Sequence, residues 1–113
     1  MDIHTRMLDH TLIIELTGEI DHHVVGQVKD KIDRAYTTTN ARDMVFDFSG
    51  ITFMDSSGIG LIMGRYKHLP PGGKLSVAGV NDHIKRVFDI SGVGKLINIT
   101  DSIEKVIGGS YVR

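Results

Sequence analysis

The sequence contains no cysteine and only 2 prolines. Without cysteine the chain can form no disulfide, no thiolate-bound zinc site and no cysteine nucleophile. It also lacks a long apolar run, because none approaches the roughly 20 residues of a membrane-spanning helix. The amino-terminal letters MDIHTR lack the apolar stretch of a secretory signal. We therefore expect a cytoplasmic protein with no membrane partner.

A large net charge of either sign is also missing, because 13 lysines and arginines nearly balance 14 aspartates and glutamates. A nucleic-acid-binding surface normally shows as an excess of basic residues, so we expect no nucleic-acid partner. A chain of 113 residues is long enough for one hydrophobic core and too short for an elaborate two-lobed active site. We interpret residues 1–113 as a single domain.

The most informative stretch is MVFDFSGITFMDSSGIGLIMGRYK at residues 44–67. Its first half is rich in β-branched and aromatic residues, with a pause at residues 49–50, which is typical of a strand. From Ile59 onward the apolar residues recur at spacings of three and four, which predicts an α-helix from about 57 to 68. Residues 55–57 would then lie at the first helical turn, where side-chain oxygens can accept hydrogen bonds from free N–H groups. A serine there could be a cap, a nucleophile or a site of modification.

The flanking segments predict a mixed α/β fold. Alternating apolar residues indicate a hairpin of strands at 3–7 and 11–17. Asp21 then suits the N-cap of a helix that reaches Tyr36. The remaining predicted elements are a strand at 74–80 that completes a β-α-β unit with the strand at 44–48, a helix around 84–91, an edge strand at 97–99 and a last helix from about 101 to 107.

The histidines do not form a metal-binding pattern. The 6 histidines do not repeat at ligand spacings such as H-x-x-x-H, so we expect solvated histidines and no metal. The adjacent His22 and His23 would point in different directions on a helix. The letters DHH at 21–23 also occur in the DHH phosphoesterases, but the further acidic motifs of that class are missing.

The glycines Gly58, Gly60 and Gly64 follow a strand and open a helix, as in a dinucleotide-binding fingerprint. Met63, however, occupies the place of the third glycine of G-x-G-x-x-G. The favoured interpretation is that these small residues permit close packing. A small nucleotide-binding or nucleotide-hydrolysing enzyme is the rival hypothesis from another class.

The sequence offers no catalytic partner for Ser56 or Ser57. The G-x-S-x-G pattern of a nucleophile elbow is absent, and no histidine is placed by local sequence to act as a base. The main alternative to a functional role for Ser56 or Ser57 is therefore that the serine simply caps the N-terminus of the helix.

Three segments carry a resemblance to a known family: LTGEIDHH at 16–23, FMDSSGIGLIMGRYK at 53–67 and IKRVFDISGVGKLI at 84–97. Over nearly the whole chain, the sequence resembles the STAS family, and within it the bacterial anti-sigma factor antagonists of the sporulation type. The middle segment is the most specific, because D-S-[ST]-G-[LI]-G followed by G-R-Y-K is more than a generic helix cap.

The resemblance implies an α/β STAS fold, with a mixed sheet of about four or five strands and about four helices packed mainly on one face. It also implies no catalysis and no cofactor. Such proteins bind an anti-sigma factor that is also a serine kinase, of the SpoIIAB type, with ATP or ADP on the kinase side, and so release the sporulation sigma factor sigma-F. The kinase then phosphorylates the antagonist, and a serine phosphatase of the SpoIIE type restores it.

By position in the motif, the resemblance implies that Ser56 is the phosphoacceptor. Ser57 is then the favoured helix cap, although sequence alone does not separate the two roles. The implied partner surface around the phosphoacceptor comprises Asp21, Asp55, Ser57, Gly58, Ile59 and Gly60. A phosphoryl group adds about −1.5 to −2 charge beside Asp55, which a helix N-terminus tolerates and a buried interface does not. A STAS module of another partner-switching pathway, such as a general stress response, is the alternative with the same fold.

Overall fold

The computed structural model describes residues 1–103. Within that range, an initial hairpin is followed by alternating helices and strands. The strands are β1 (Asp2–Leu8), β2 (Thr11–Ile20), β3 (Asp43–Met54), β4 (Leu75–Ala78) and β5 (Asn98–Thr100). The helices are α1 (Val25–Thr37), α2 (Ser57–His68) and α3 (Asp82–Ser91), and a 3₁₀ turn occupies Val93–Lys95. None of these helices is long and apolar enough to cross a membrane.

The five strands form one sheet in the order β1-β2-β3-β4-β5. β1 runs antiparallel to β2, as the predicted hairpin requires, and the later neighbours are parallel. The helices α1, α2 and α3 each connect two parallel strands, because such a connection must return the chain to the far end of the sheet. The carboxyl ends of β2, β3 and β4 therefore lie along one edge, together with the loops that follow them.

One hydrophobic cluster joins the helices to a single face of the sheet. In the register of the central strands, Leu12 lies beside Met44 and Met44 lies beside Leu75, so alternate residues share that face. The predicted mixed sheet with helices packed on one face is confirmed. Fully buried side chains from both layers fill the cluster, among them Ile14, Phe46, Val77, Ile32, Ile62 and Phe88.

β3 is longer than the predicted strand at 44–48, because it continues through Gly50 to Met54. Gly50 pairs with Thr17 of β2, where the register of the two strands shifts. A Cβ at Gly50 would stand 2.7 Å from the Thr17 hydroxyl oxygen. Glycine thus permits a close approach of the two backbones and does not end the strand.

The remaining differences from the predicted elements are smaller. β4 is shorter than the predicted strand at 74–80, and β5 begins one residue later than the predicted 97–99. The predicted last helix at 101–107 extends past residue 103, so it lies outside the described residues. Of the about four helices expected, three α-helices fall within residues 1–103.

A buried ion pair connects α1 with α2. The Arg65 side chain is only 3% exposed, and its Nε lies 3.0 Å from Asp33 Oδ1. Asp33 Oδ2 also lies 3.4 Å from Lys29 Nζ, within α1. Arg65 Nη1 has no hydrogen-bond partner among the described residues. Asp33 is therefore the charge that compensates the buried guanidinium.

Asp33→Asn should destabilise the protein, because it leaves the Arg65 charge buried without a counterion. Since the Asp33 side chain is 35% exposed, we expect the free energy of unfolding to fall by about 1–3 kcal/mol, less than for a fully buried pair. Urea unfolding measures the change. Asp30→Asn, on the exposed surface of α1, is the matched control and should change stability by less than about 0.5 kcal/mol. Equal effects of the two variants would contradict this role of Asp33.

Candidate functional site

The loops after β2 and β3 meet at the shared edge of the sheet. Ile20 pairs with Met54 where these strands end, and the Asp55 N–H donates to the Ile20 carbonyl at 3.0 Å. The turn at residues 21–24 therefore lies beside residues 55–57. The parallel pairing thus places the turn that begins at Asp21 next to the DSSG segment.

The Asp55 carboxylate, and not a serine hydroxyl, satisfies the start of α2. Ser56 is the N-cap residue, but its side chain makes no capping hydrogen bond. Asp55 Oδ1 accepts the Ser57 N–H at 2.9 Å, and the Ser57 hydroxyl donates to the same oxygen. The predicted helix cap at Ser57 is therefore wrong. Its hydroxyl acts as a donor because it lies beside an ionised carboxylate, which can only accept a hydrogen bond and is a strong acceptor.

Ser56 is exposed at the beginning of α2. Its hydroxyl makes no hydrogen bond with any residue in the range 1–103. Its carbonyl accepts the Ile59 N–H at 3.1 Å, so the backbone is held in place while Oγ is open to solvent. The positive end of the α2 dipole lies here and favours an added negative group.

Hydrogen bonds favour the ionised form of Asp55. The Ser57 hydroxyl lowers the pKa of Asp55 below its ordinary value of 3.8. The N–H groups of Ser57 and His22 and the His22 side chain act in the same direction, whereas loss of solvation opposes them. The residue directly before Ser56 is therefore negatively charged at neutral pH.

Asp21 organises the turn that precedes α1. Its Oδ1 accepts the N–H groups of His23 at 2.9 Å and Val24 at 3.1 Å. The helix begins only at Val25, with Val24 as its N-cap residue. The prediction that Asp21 is the N-cap is therefore wrong. Its carboxylate instead stabilises the turn that precedes the helix.

His22 contacts Asp55 across the gap between the two loops. Its N–H donates to Asp55 Oδ2 at 3.2 Å, and its Nδ1 lies 3.5 Å from the same oxygen. Its ring contacts that of His23, with centroids 4.0 Å apart and the ring planes tilted by 38°. The prediction that these rings diverge is wrong, because they lie in a turn and not on a helix. Sequence reasoning does not find the contact with Asp55, which joins residues 33 positions apart.

The glycines of the expected partner surface differ in exposure. Gly58 is buried, Ile59 is partly buried and Gly60 is exposed. A Cβ at Gly58 would stand 2.3 Å from Met54 Sδ, whereas one at Gly60 would have nothing within 4 Å. Gly58 therefore lets α2 pack closely on β3, and Ile59 and Gly60 form the accessible part of the surface.

Phe53 extends the exposed surface beyond the residues expected from sequence. Its side chain is 39% exposed and stacks on His83, with ring centroids 5.7 Å apart. His83 lies in the first turn of α3, so this aromatic pair lies along the same edge of the sheet. The alternation along β3 is the signal that could have identified Phe53, since it places this ring opposite the buried Met54.

No metal-binding constellation accompanies the site, since no three His, Asp or Glu side chains within residues 1–103 converge on a point that could hold an ion. A cavity of about 680 Å³ lies at the amino ends of the parallel strands, with Thr11, Asp43 and Lys74 among its lining residues. That edge of the sheet is opposite Ser56. The geometry at Ser56 itself is that of an exposed surface, suited to modification or docking by another protein.

Comparison with known proteins identifies the family of the chain. The family model described as STAS domain matches residues 2–106. The chain belongs to the STAS family. This STAS domain is 37% identical over 105 residues to an anti-sigma F factor antagonist of Paenibacillus polymyxa, and the match covers 90% of each chain.

Two solved structures are similar to this STAS domain. The anti-sigma factor antagonist SpoIIAA in its unphosphorylated form matches with a TM-score of 0.80 and 30% identity, covering 99% of this chain and 98% of that one. SpoIIAA of Bacillus in the phosphorylated form matches with a TM-score of 0.72 and 32% identity, covering 99% of this chain and 100% of that one. The expected STAS fold is therefore confirmed.

Gly58→Ala should destabilise this STAS domain, although alanine is the better helix former. The added methyl group would overlap Met54 Sδ and Cγ, at 2.3 and 2.4 Å, and overpacking of this kind costs about 1–3 kcal/mol. Gly64→Ala in the same helix meets nothing within 4 Å and should raise stability by up to about 1 kcal/mol. Thermal unfolding of both variants measures the contrast. A Gly58→Ala Tm at or above that of the unmodified domain would refute the close packing.

Proposed function

We propose that this STAS domain is an anti-sigma factor antagonist controlled by phosphorylation of Ser56. In the unphosphorylated state it binds an anti-sigma factor that is also a serine kinase, and the sigma factor is released. Phosphorylation ends the binding, and a serine phosphatase restores it. The observation that carries the proposal is the exposed Ser56 hydroxyl at the start of α2, which makes no hydrogen bond within residues 1–103.

The surroundings of Ser56 support its role as phosphoacceptor. In the transfer, a bond forms between Ser56 Oγ and the γ-phosphorus of ATP, the bond to the leaving ADP breaks, and the hydroxyl proton passes to a base of the kinase. The nucleotide and the base both belong to the kinase, so this chain catalyses no reaction. It has only to present Oγ in a defined position, which the ordered first turn of α2 provides.

Ser57 is less suited to the same role. It is partly buried, and its hydroxyl is engaged in a hydrogen bond to Asp55 Oδ1. A phosphoryl group at Ser57 would replace that donor by negative oxygens against a carboxylate, which is unfavourable. The two serines therefore differ in tertiary environment although they are adjacent in sequence.

Phosphorylation should change the surface without unfolding the domain. The group adds about −1.5 to −2 charge, and the α2 N-terminus favours an anion at that position. The similarity of this chain to both the unphosphorylated and the phosphorylated form of SpoIIAA supports a fold compatible with both states. In an interface, by contrast, an unpaired buried charge costs several kcal/mol, enough to abolish micromolar binding.

The proposed docking surface surrounds Ser56 on two loops and the first turn of α2. The assignment of this surface to an anti-sigma F factor is supported by the similarity of the chain to the anti-sigma F factor antagonist of Paenibacillus polymyxa. A general stress pathway would use the same switch with another sigma factor. The residues assigned to the surface are Asp21, Asp55, Ser57, Ile59 and Gly60, with Gly58 packed beneath them.

Incubation with the cognate kinase and ATP should modify Ser56 alone, since only this hydroxyl of the DSSG segment is both exposed and free. Mass spectrometry of proteolytic fragments locates the phosphoryl group. Ser57→Ala is the matched control and should still be phosphorylated, whereas Ser56→Ala should not. A phosphoryl group on any other residue of the unmodified sequence would remove the central assignment.

Ser56→Ala should bind the anti-sigma factor as tightly as the unphosphorylated domain and stay bound when ATP is added, because it cannot acquire the charge. Ser56→Asp places a second carboxylate beside Asp55 and should bind at least about tenfold more weakly, which is about 1.4 kcal/mol. Isothermal titration calorimetry with the purified anti-sigma factor measures both affinities. Equal affinities of the two variants would argue against a charge-controlled interface.

A further inference from the structure

The His22 side chain lies between the two loops of the site. Its Nδ1 is 3.5 Å from Asp55 Oδ2, and the side chain is 73% exposed. The backbone N–H of the same residue donates to that oxygen at 3.2 Å, so both the backbone and the side chain of His22 contact Asp55. The N–H has a constant charge state, whereas an imidazole can gain a proton near neutral pH.

Over residues 1–103, no lysine or arginine lies within ion-pair distance of Asp55. On the adjoining helices, Lys29 of α1 and Arg65 of α2 are both paired with Asp33. Of the basic residues in this region, His22 is therefore the one in contact with Asp55.

The other ionisable groups near His22 are already engaged. Asp21 in the same turn accepts two backbone N–H groups, and the His23 ring lies against the His22 ring in a tilted arrangement. At the start of α3, His83 stacks on Phe53. Of these side chains, His22 is the one that contacts Asp55.

We propose that His22 is a positioning residue of the switch, which holds the β2–α1 turn against Asp55 in the unmodified domain and becomes the cation facing the phosphoryl group once Ser56 is modified. This inference rests on the proposed function, since it takes Ser56 as the modified residue. It assigns to His22 a role that depends on its imidazole and not only on its backbone.

Phosphorylation changes the charge that His22 faces. In the unmodified domain its nearest charged partner is the Asp55 carboxylate, and modification of the next residue adds about −1.5 to −2 charge. Because Ser56 directly follows Asp55, the added charge lies next to the carboxylate that His22 contacts, and a nearby negative charge favours a protonated imidazole. The imidazolium has two N–H donors, one for Asp55 and one for a phosphoryl oxygen. The turn that carries Asp21 thus stays attached to Asp55 while the phosphoryl charge is partly compensated.

The test uses phosphoserine encoded at position 56, so that it needs no kinase. The intact domain with and without phosphoserine is titrated from about pH 5 to pH 9 and followed by histidine ¹⁵N and by ³¹P NMR. We expect phosphoserine to move the His22 titration midpoint upward by about half a pH unit or more. The midpoint of His4, on β1, should stay unchanged. An unchanged His22 midpoint would overturn the proposal.

The effect of His22 on the ionisation of the phosphate distinguishes this role from a merely structural one. His22→Gln keeps a polar side chain and the backbone N–H but cannot be protonated, and His23→Gln is the matched control. In the phosphoserine domain, His22→Gln should raise the phosphate midpoint by about half a pH unit, a roughly threefold change in proton affinity, whereas His23→Gln should leave it in place. Far-UV circular dichroism verifies that each variant is folded.

Equal phosphate midpoints in the three proteins, or a larger shift in His23→Gln than in His22→Gln, would overturn the role of His22. Either result would leave Ser56 as the proposed phosphoacceptor, because the phosphoserine is encoded and not made by a kinase. Conversely, kinase modification at another residue would overturn the proposed function whatever the titrations show. The two failures are therefore distinguishable.

Discussion

The Asp55 carboxylate is the group on which the arrangement of this site depends. One of its oxygens accepts the N–H and the hydroxyl of Ser57, and the other accepts the His22 N–H. These bonds complete the start of α2, engage the Ser57 hydroxyl and hold the β2–α1 turn against the β3–α2 junction. They also lower the pKa of Asp55, so the group stays charged at neutral pH. Ser56 is consequently the serine left with a free hydroxyl.

Ser56 lies where an added group would change the surface of the domain without disturbing the packing of its core. Directly beneath it, Gly58 packs against Met54, and Ile62 in the following turn is fully buried. A phosphoryl group on Ser56 would instead extend into solvent at the positive end of the α2 dipole, which favours an anion. The free energy of folding is then little affected. At the proposed interface, the same charge would weaken docking strongly, because the interface would remove it from water.

Some features could be predicted because they depend on neighbours along the chain. The bounds of α2 agree with the predicted 57–68, since its apolar spacing and its first-turn residues are local signals. The length of β3 could not be predicted in the same way. Gly50 has the sequence appearance of a break, and its true role depends on Thr17 of the adjacent strand. The helix caps were misassigned for a related reason, because which oxygen reaches a free N–H depends on the backbone path of each turn.

The sequence by itself determined the order of strands and helices, the junction at which the DSSG segment lies and the resemblance to the STAS family. These follow from hydrophobic period and motif letters, which are properties of contiguous residues. Only the tertiary structure decided that Ser56 is exposed, that Ser57 is bonded to Asp55 and that His22 contacts the same carboxylate. The physical reason is the parallel pairing of β2 with β3, which brings residues 33 positions apart into hydrogen-bonding distance.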